Sequence, residues 1–112
     1  RKNRMKNKDL LDALSCTVLC PGNLDKEIKG CYIGDLLSWV MGRAQEGDIW
    51  ITIMNHVNVL AVASLADVSC VLLAEGVTME EPVLQKAQEQ NITVLQSSKT
   101  AYQLAACIAQ LL

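Results

Sequence analysis

Apolar and polar residues follow two rhythms along this chain, and the changes of rhythm mark its elements. Residues 6–15 (KNKDLLDALS) put Leu10, Leu11 and Leu14 on one side of a short helix. Residues 16–20 (CTVLC) read as a short strand, stopped by the turn residues Pro21-Gly22-Asn23. A second strand over residues 28–33 is weakened by Gly30. Gly34-Asp35 then opens a helix through about Arg43, with the Asp35 carboxylate placed to accept the free N–H groups of the first turn. Gly47-Asp48 is a turn.

Beyond that turn the pattern is regular. In residues 48–54 (DIWITIM), Ile49, Ile51 and Ile53 alternate with Trp50, Thr52 and Met54. Both sets are largely apolar, as in a strand covered on both faces. A helix over 57–67, a buried strand over 69–74 (SCVLLA) and an amphipathic helix over 80–90 follow. Thr78 lies near the start of that helix and Pro82 in its first turn. A third strand (ITVL, 92–95) and a final helix over 99–112 complete the chain. Strands alternating with helices imply right-handed βαβ units. The expected fold is α/β: a single domain, a parallel-cored sheet of about five strands, and helices on both faces.

Composition narrows the class. A chain of 112 residues fits one domain, and 51% hydrophobic with 20% charged residues excludes a disordered one. Phe is absent, so the core is aliphatic. No apolar run reaches the ~18 residues of a membrane span and no signal peptide is visible, so a cytoplasmic domain is expected. Arg1, Lys2, Arg4, Lys6 and Lys8 hold half of the basic charge; the remainder carries five basic and twelve acidic residues, a net −7. So acidic a body is unsuited to nucleic acid. The expected organisation is a solvated basic tail over 1–7 and the α/β domain over 8–112. Met5 reads as a natural start, with Arg1 to Arg4 an added remnant.

The chemistry-bearing residues exclude more than they assign. Cys16, Cys20, Cys31, Cys70 and Cys107 are odd in number and fit no zinc spacing, so reduced cysteines, no metal and no cofactor are expected. There is no GxxxxGK[ST] phosphate loop and no GxGxxG after a strand. The one histidine is His56. In an open α/β sheet ligands bind beyond the carboxyl ends of the strands. Those ends supply Asn55, His56 and Asn58, then Glu75 and Gly76, then Gln96, Ser97, Ser98 and Thr100, with Gly34 and Asp35 beside them. The same residues also read as ordinary helix caps and turns: Asn55, Asn58 and Ser98 as caps, Gly76 as a turn. Trp39 and Trp50 read as core or interface. The stretches Leu36–Gly42 and Val57–Ala66 carry no charge, although a helix covering a sheet normally keeps a polar outer face.

The stretch from Gly34 to Leu95 resembles the DRTGG domain family. The matching segments are GDLLSWVMGRAQEGDIWITIMNHVNVLAVASLADVSCVLLAEG and QKAQEQNITVL, and the resemblance runs from about Lys8 to Leu112. That family is related in fold to the N-terminal domain of HPr kinase/phosphorylase. Similar modules occur inside phosphotransacetylases and in pyrophosphatases with nucleotide-sensing domains. Free-standing chains of this kind lie beside iron-only hydrogenase genes and are often labelled serine kinases. The family's Asp-Arg pair corresponds here to Asn55-His56, and its Thr-Gly-Gly to Ala74-Glu75-Gly76, so the arginine suited to an anion is missing. The phosphate loop of HPr kinase lies in a separate domain, and nothing here replaces it.

The resemblance and the uncharged helices together imply a non-catalytic regulatory or interaction module that forms a homodimer, with a protein partner in a hydrogenase-related complex. The alternative is a sensor of a nucleotide or small metabolite. Its expected ligand residues are Asn55, His56, Asn58, Glu75, Gly76, Ser97 and Thr100.

Overall fold

The computed structural model describes residues 4–112. Its elements are α1 (Asn7–Leu14), β1 (Thr17–Cys20), β2 (Gly30–Ile33), α2 (Leu37–Arg43), β3 (Asp48–Thr52), α3 (Asn58–Ala66), β4 (Cys70–Leu73), α4 (Glu81–Glu89), β5 (Val94–Gln96) and α5 (Ala101–Leu111). The five strands form one sheet in the order β1-β5-β4-β3-β2. The strands from β2 to β5 are parallel neighbours, and β1 lies antiparallel to β5 at the far edge. The sheet is therefore mixed, with the expected parallel core.

Because β2, β3, β4 and β5 advance across the sheet in one direction, right-handed crossovers place all three connecting helices on the same face. There Val40 of α2, Val59, Leu60, Val62 and Ala63 of α3, and Ala87 of α4 pack with Trp50, Val71, Leu73 and Val94. The opposite face falls to the two terminal helices. Leu10 and Leu14 of α1 and Leu104 and Ile108 of α5 cover Ile49, Ile51, Cys70, Leu72 and Leu95. The period-two alternation of each strand thus feeds two separate cores. Two helices do not blanket five strands: Cys31 and Ile33 of edge strand β2 stay exposed on that side. Ile53, expected on the buried face of β3, lies one residue past the strand and is 47% exposed.

From β1 the chain must reach the opposite edge. Residues 21–29 cross four strand spacings, roughly 19 Å, well within the reach of nine residues. They pass beneath the amino ends of the strands, where backbone polar groups need partners. Asn7, Ser69 and Thr93, all buried, provide them. Asn7 Nδ2 donates to the carbonyls of Asn23 (2.9 Å) and Ser69 (2.7 Å), and Asn7 Oδ1 accepts from the Ser69 hydroxyl (2.8 Å). The Thr93 hydroxyl donates to the Pro21 carbonyl and accepts from the Asn23 N–H.

This changes the expected tail over 1–7. Residues 1–3 lie outside the described residues. Arg4 pairs with Glu27, the Met5 carbonyl accepts from Ile28 N–H, Lys6 bridges to Glu27, and Asn7 is fully buried. The packed domain therefore begins before Lys8, because α1 needs a polar anchor on the crossing segment. Among the described residues no helix is long and apolar enough to cross a membrane.

Candidate functional site

The gap in the terminal-helix layer opens a cleft of about 330 Å³ at the carboxyl ends of β2, β3 and β4. Ile33, Ile51, Ile53, Ala74, Val77 and Ala101 form apolar walls, and Asp35, Thr52 and Glu75 supply the polar groups. No Lys or Arg is among these lining residues. Asp35 was expected to cap α2, but the cap position is Leu36, which has no side chain able to do so. The Asp35 carboxylate instead reaches β3: its Oδ1 accepts from the Thr52 hydroxyl (2.8 Å) and the Ile53 N–H (3.0 Å). That pair of bonds holds one oxygen; among the described residues no hydrogen bond holds the other. It also fixes the two strand ends that frame the cleft.

The third side of the cleft is the turn after β4. Glu75 (φ 61) and Gly76 (φ 74) are both left-handed. Glycine adopts this backbone freely, whereas a side chain there is strained. Neighbours hold the turn in place. The Glu75 N–H donates to the Lys99 carbonyl (2.9 Å) and the Gly76 N–H to the Ser97 carbonyl (2.8 Å). The Gln96 amide donates to the carbonyls of Gly76 and Val77. A carboxylate therefore stands at the cleft on a backbone that glycine would occupy more easily.

The other expected site residues disperse. Asn55 donates to the Thr78 carbonyl (2.8 Å), tying two loops together. His56 and Asn58 are exposed near the start of α3 and are not among the residues lining the cleft. The cap of α3 is Val57, so neither Asn55 nor Asn58 serves as its side-chain cap. Ser97 is buried, and its hydroxyl accepts from the Lys99 N–H (3.0 Å). Thr100, rather than Ser98, caps α5, accepting from the Gln103 N–H (3.2 Å) while Gln103 Oε1 accepts from the Thr100 N–H (3.0 Å). Glu80 stands at the cap of α4, two residues after Thr78. Of the seven expected ligand residues, Glu75 alone lines the cleft. Sequence pattern does not single out the apolar walls, because strand-end isoleucines look like any core residue. The usable signal was the excess of apolar strand faces over helices available to cover them.

A second hollow, about 240 Å³, lies at the amino ends of the strands. Within it Lys26 pairs with Asp67 and the Ser64 hydroxyl with Gln90. Among the described residues no group of three His, Cys, Asp or Glu side chains could hold a metal ion. Trp50 is wholly buried, with its indole N–H on the Gly34 carbonyl (2.9 Å), whereas Trp39 is 56% exposed.

Comparison with known proteins follows the fold. The chain superimposes with a TM-score of 0.76 on the regulatory region of Clostridium perfringens pyrophosphatase, which contains CBS and DRTGG domains and was solved with its activator, diadenosine tetraphosphate. Identity is 21%, and the match covers 96% of this chain and 47% of that one, so this chain spans about half the length of its neighbour. No curated protein matches. The DRTGG domain pattern matches residues 9–111, and the chain belongs to the DRTGG domain family.

Proposed function

We propose that this chain is a non-catalytic regulatory domain that responds to a small ligand held in the cleft at the ends of β2, β3 and β4. The carrying observation is the cleft itself: apolar walls, an Asp35 oxygen that no described residue hydrogen-bonds, and Glu75 kept on a strained backbone beside it. The ligand is small, with an apolar body and hydrogen-bond donors or a positive charge to meet the two carboxylates. The structural neighbour carries a nucleotide activator. In this chain, phosphate groups would meet Asp35 and Glu75 without a lining cation, so a metabolite fits this cleft better than a nucleotide's phosphates do.

Regulation needs a neighbour to act on, and the uncharged stretches Leu36–Gly42 and Val57–Ala66 favour self-association. A cytosolic protein partner in a hydrogenase-related complex is the setting suggested by the resemblance of free-standing relatives, and affinity capture from the native cell tests it. For the ligand, a thermal-shift screen should compare amine-bearing metabolites with adenine nucleotides. A ligand at 100 times its Kd adds ~2.7 kcal/mol to stability. Ile53→Arg, which fills the cleft from a half-exposed position, should abolish the shift. A stabilising ligand indifferent to Ile53→Arg, or no stabilising ligand in a broad screen, overturns the reading. Incubation with magnesium and labelled ATP should give no turnover that follows the protein through purification.

A further inference from the structure

The two edges of the sheet differ. At β1 the register shifts between Val18 and Cys20, a break of the kind that keeps an edge from pairing further. At β2 all four residues stay in register with β3. The β2 sequence Gly-Cys-Tyr-Ile carries no charge and no proline, the residues that usually blunt an edge. The Gly34 N–H donates to the Ile51 carbonyl (3.2 Å), so Gly34 faces β3 and, by alternation, Tyr32 does too. Cys31 and Ile33 therefore turn their N–H and C=O groups outward, and among the described residues no hydrogen bond reaches them. Both side chains are exposed on the face that the terminal helices leave open. Two donors and two acceptors at alternating positions are what a further extended strand pairs with.

This edge runs into the cleft. Ile33 ends β2, is 48% exposed and lines the cleft beside Asp35. A strand added ~4.8 Å outside β2 lays alternate side chains over Cys31 and Ile33, and a long side chain at its cleft end reaches toward Asp35. The cleft lining holds the carboxylates of Asp35 and Glu75 and no Lys or Arg, so the side chain that complements it is a cation. Asp35 keeps Oδ1 on Thr52 and Ile53, and its other oxygen is the acceptor for that cation. A second copy of this chain is the poorer occupant. Its β2 has no basic residue, and Lys29 just before the strand is paired with Glu46 (3.3 Å).

We infer that the open edge of β2 takes up an extended segment of a partner protein as an added strand, with a lysine or arginine of that segment on the Asp35 carboxylate. The inference rests on the cleft reading only through Asp35. The probe is a synthetic peptide of alternating threonine and valine with lysine at both ends, titrated to millimolar concentration into the isotope-labelled chain and followed by NMR. The Cys31 and Ile33 amides should shift and become protected from solvent exchange. The same peptide with glutamate ends should bind at least ~10-fold more weakly, as loss of a charge-assisted hydrogen bond does. Asp35→Asn keeps an oxygen for Thr52 and Ile53 but removes the charge, and should erase that preference. Cys31→Pro removes an outward N–H that the sheet does not use, at a position where an edge strand tolerates proline. It should weaken the lysine-ended peptide at least ~10-fold with little change in melting temperature. The lysine-ended peptide with every internal amide N-methylated cannot donate; it should lose affinity by a similar factor, and it tests the pairing without altering the protein. No binding at millimolar concentration, shifts confined to another surface, or equal binding of the lysine-ended and glutamate-ended peptides overturns the proposal. So does a chain mass that is doubled in the unchanged protein and returns to 12.2 kDa in Cys31→Pro, since a second copy then holds the edge. The titration contains no metabolite and the metabolite screen contains no peptide, so failure of one reading is distinguishable from failure of the other.

Discussion

Asn7 offers the sharpest test of how this fold is held. It is fully buried, and it connects α1, the crossing segment and the starts of β4 and β5. Asn7→Ala removes two short donor bonds and one accepted bond, of 2.9, 2.7 and 2.8 Å. Each such bond contributes ~1 kcal/mol net, and groups left buried without a partner cost more. The Ser69 hydroxyl can turn toward the Lys26 carbonyl, 3.5 Å away, and the Asn23 carbonyl keeps the Lys26 N–H (3.3 Å), so part of the loss is recovered. The expected cost is ~3 kcal/mol, a large share of the 5–15 kcal/mol typical of a domain. Urea unfolding followed by circular dichroism measures it, and the midpoint should fall with little change in slope. Asn7→Asp keeps the size but turns the donor into a carboxylate facing two carbonyl oxygens. Its folded-state pKa is raised above the unfolded value, so that variant's stability is greatest below ~4 and declines as pH rises. A loss under ~1 kcal/mol for Asn7→Ala would refute the reasoning, because the crossing segment would then be held by something else.

Glu75→Gly should stabilise the protein by up to ~1 kcal/mol by relieving the left-handed backbone, while removing a carboxylate from the cleft; destabilisation in a denaturant melt would contradict the strain. Gly22→Ala should cost well over ~1 kcal/mol, since its φ is 48 and a Cβ would come within 2.4 Å of the Ile92 and Thr93 backbone. Gly76→Ala, with φ 74 but open space, should cost about 1 kcal/mol, and equal losses in calorimetry would defeat the distinction. His56→Ala should stay within ~0.5 kcal/mol of the unchanged chain, because the side chain is exposed; an unfolded variant would show a structural role. Burial raises the Cys70 thiol; Cys31 is exposed as a residue, but partial desolvation of its sulfur together with the nearby Asp48 carboxylate pushes that thiol up to about 11 from 9.0. These thiols stay protonated in the folded chain where unfolded ones ionise. Stability should therefore be undiminished below pH 9 and fall as pH rises from 9 to 11; a flat profile of urea midpoints would count against it.

Much of the architecture was legible in local pattern, for a simple reason. The strands at 48–54, 69–74 and 92–95 are apolar on both faces, and only a central strand between two layers buries both. Helices of regular spacing between them left parallel pairing as the natural outcome, and the absence of charge on Leu36–Gly42 and Val57–Ala66 was visible by inspection. What local pattern does not carry is which element lies across from which. The antiparallel placement of β1, the passage of residues 21–29 beneath the sheet and the burial of Asn7 depend on partners 16 to 86 positions away. Asn7 reads as an ordinary polar helix residue until the backbone it serves is in place.

The candidate site divides in the same way. Sequence by itself pointed to the carboxyl ends of the strands as the candidate end, because parallel strands joined by crossovers bring their loops together there. It could not choose among the polar residues gathered at that end, since caps and ligands use the same side chains. Tertiary structure made the choice through helix direction: with every crossover helix on one face, two terminal helices were left to cover the other. The cleft opened where they do not reach, beside Asp35 and Glu75 and away from His56. Length and hydropathy are properties of a segment, but an uncovered patch of sheet belongs to the count of helices against strands, and that count is settled only when the chain is folded.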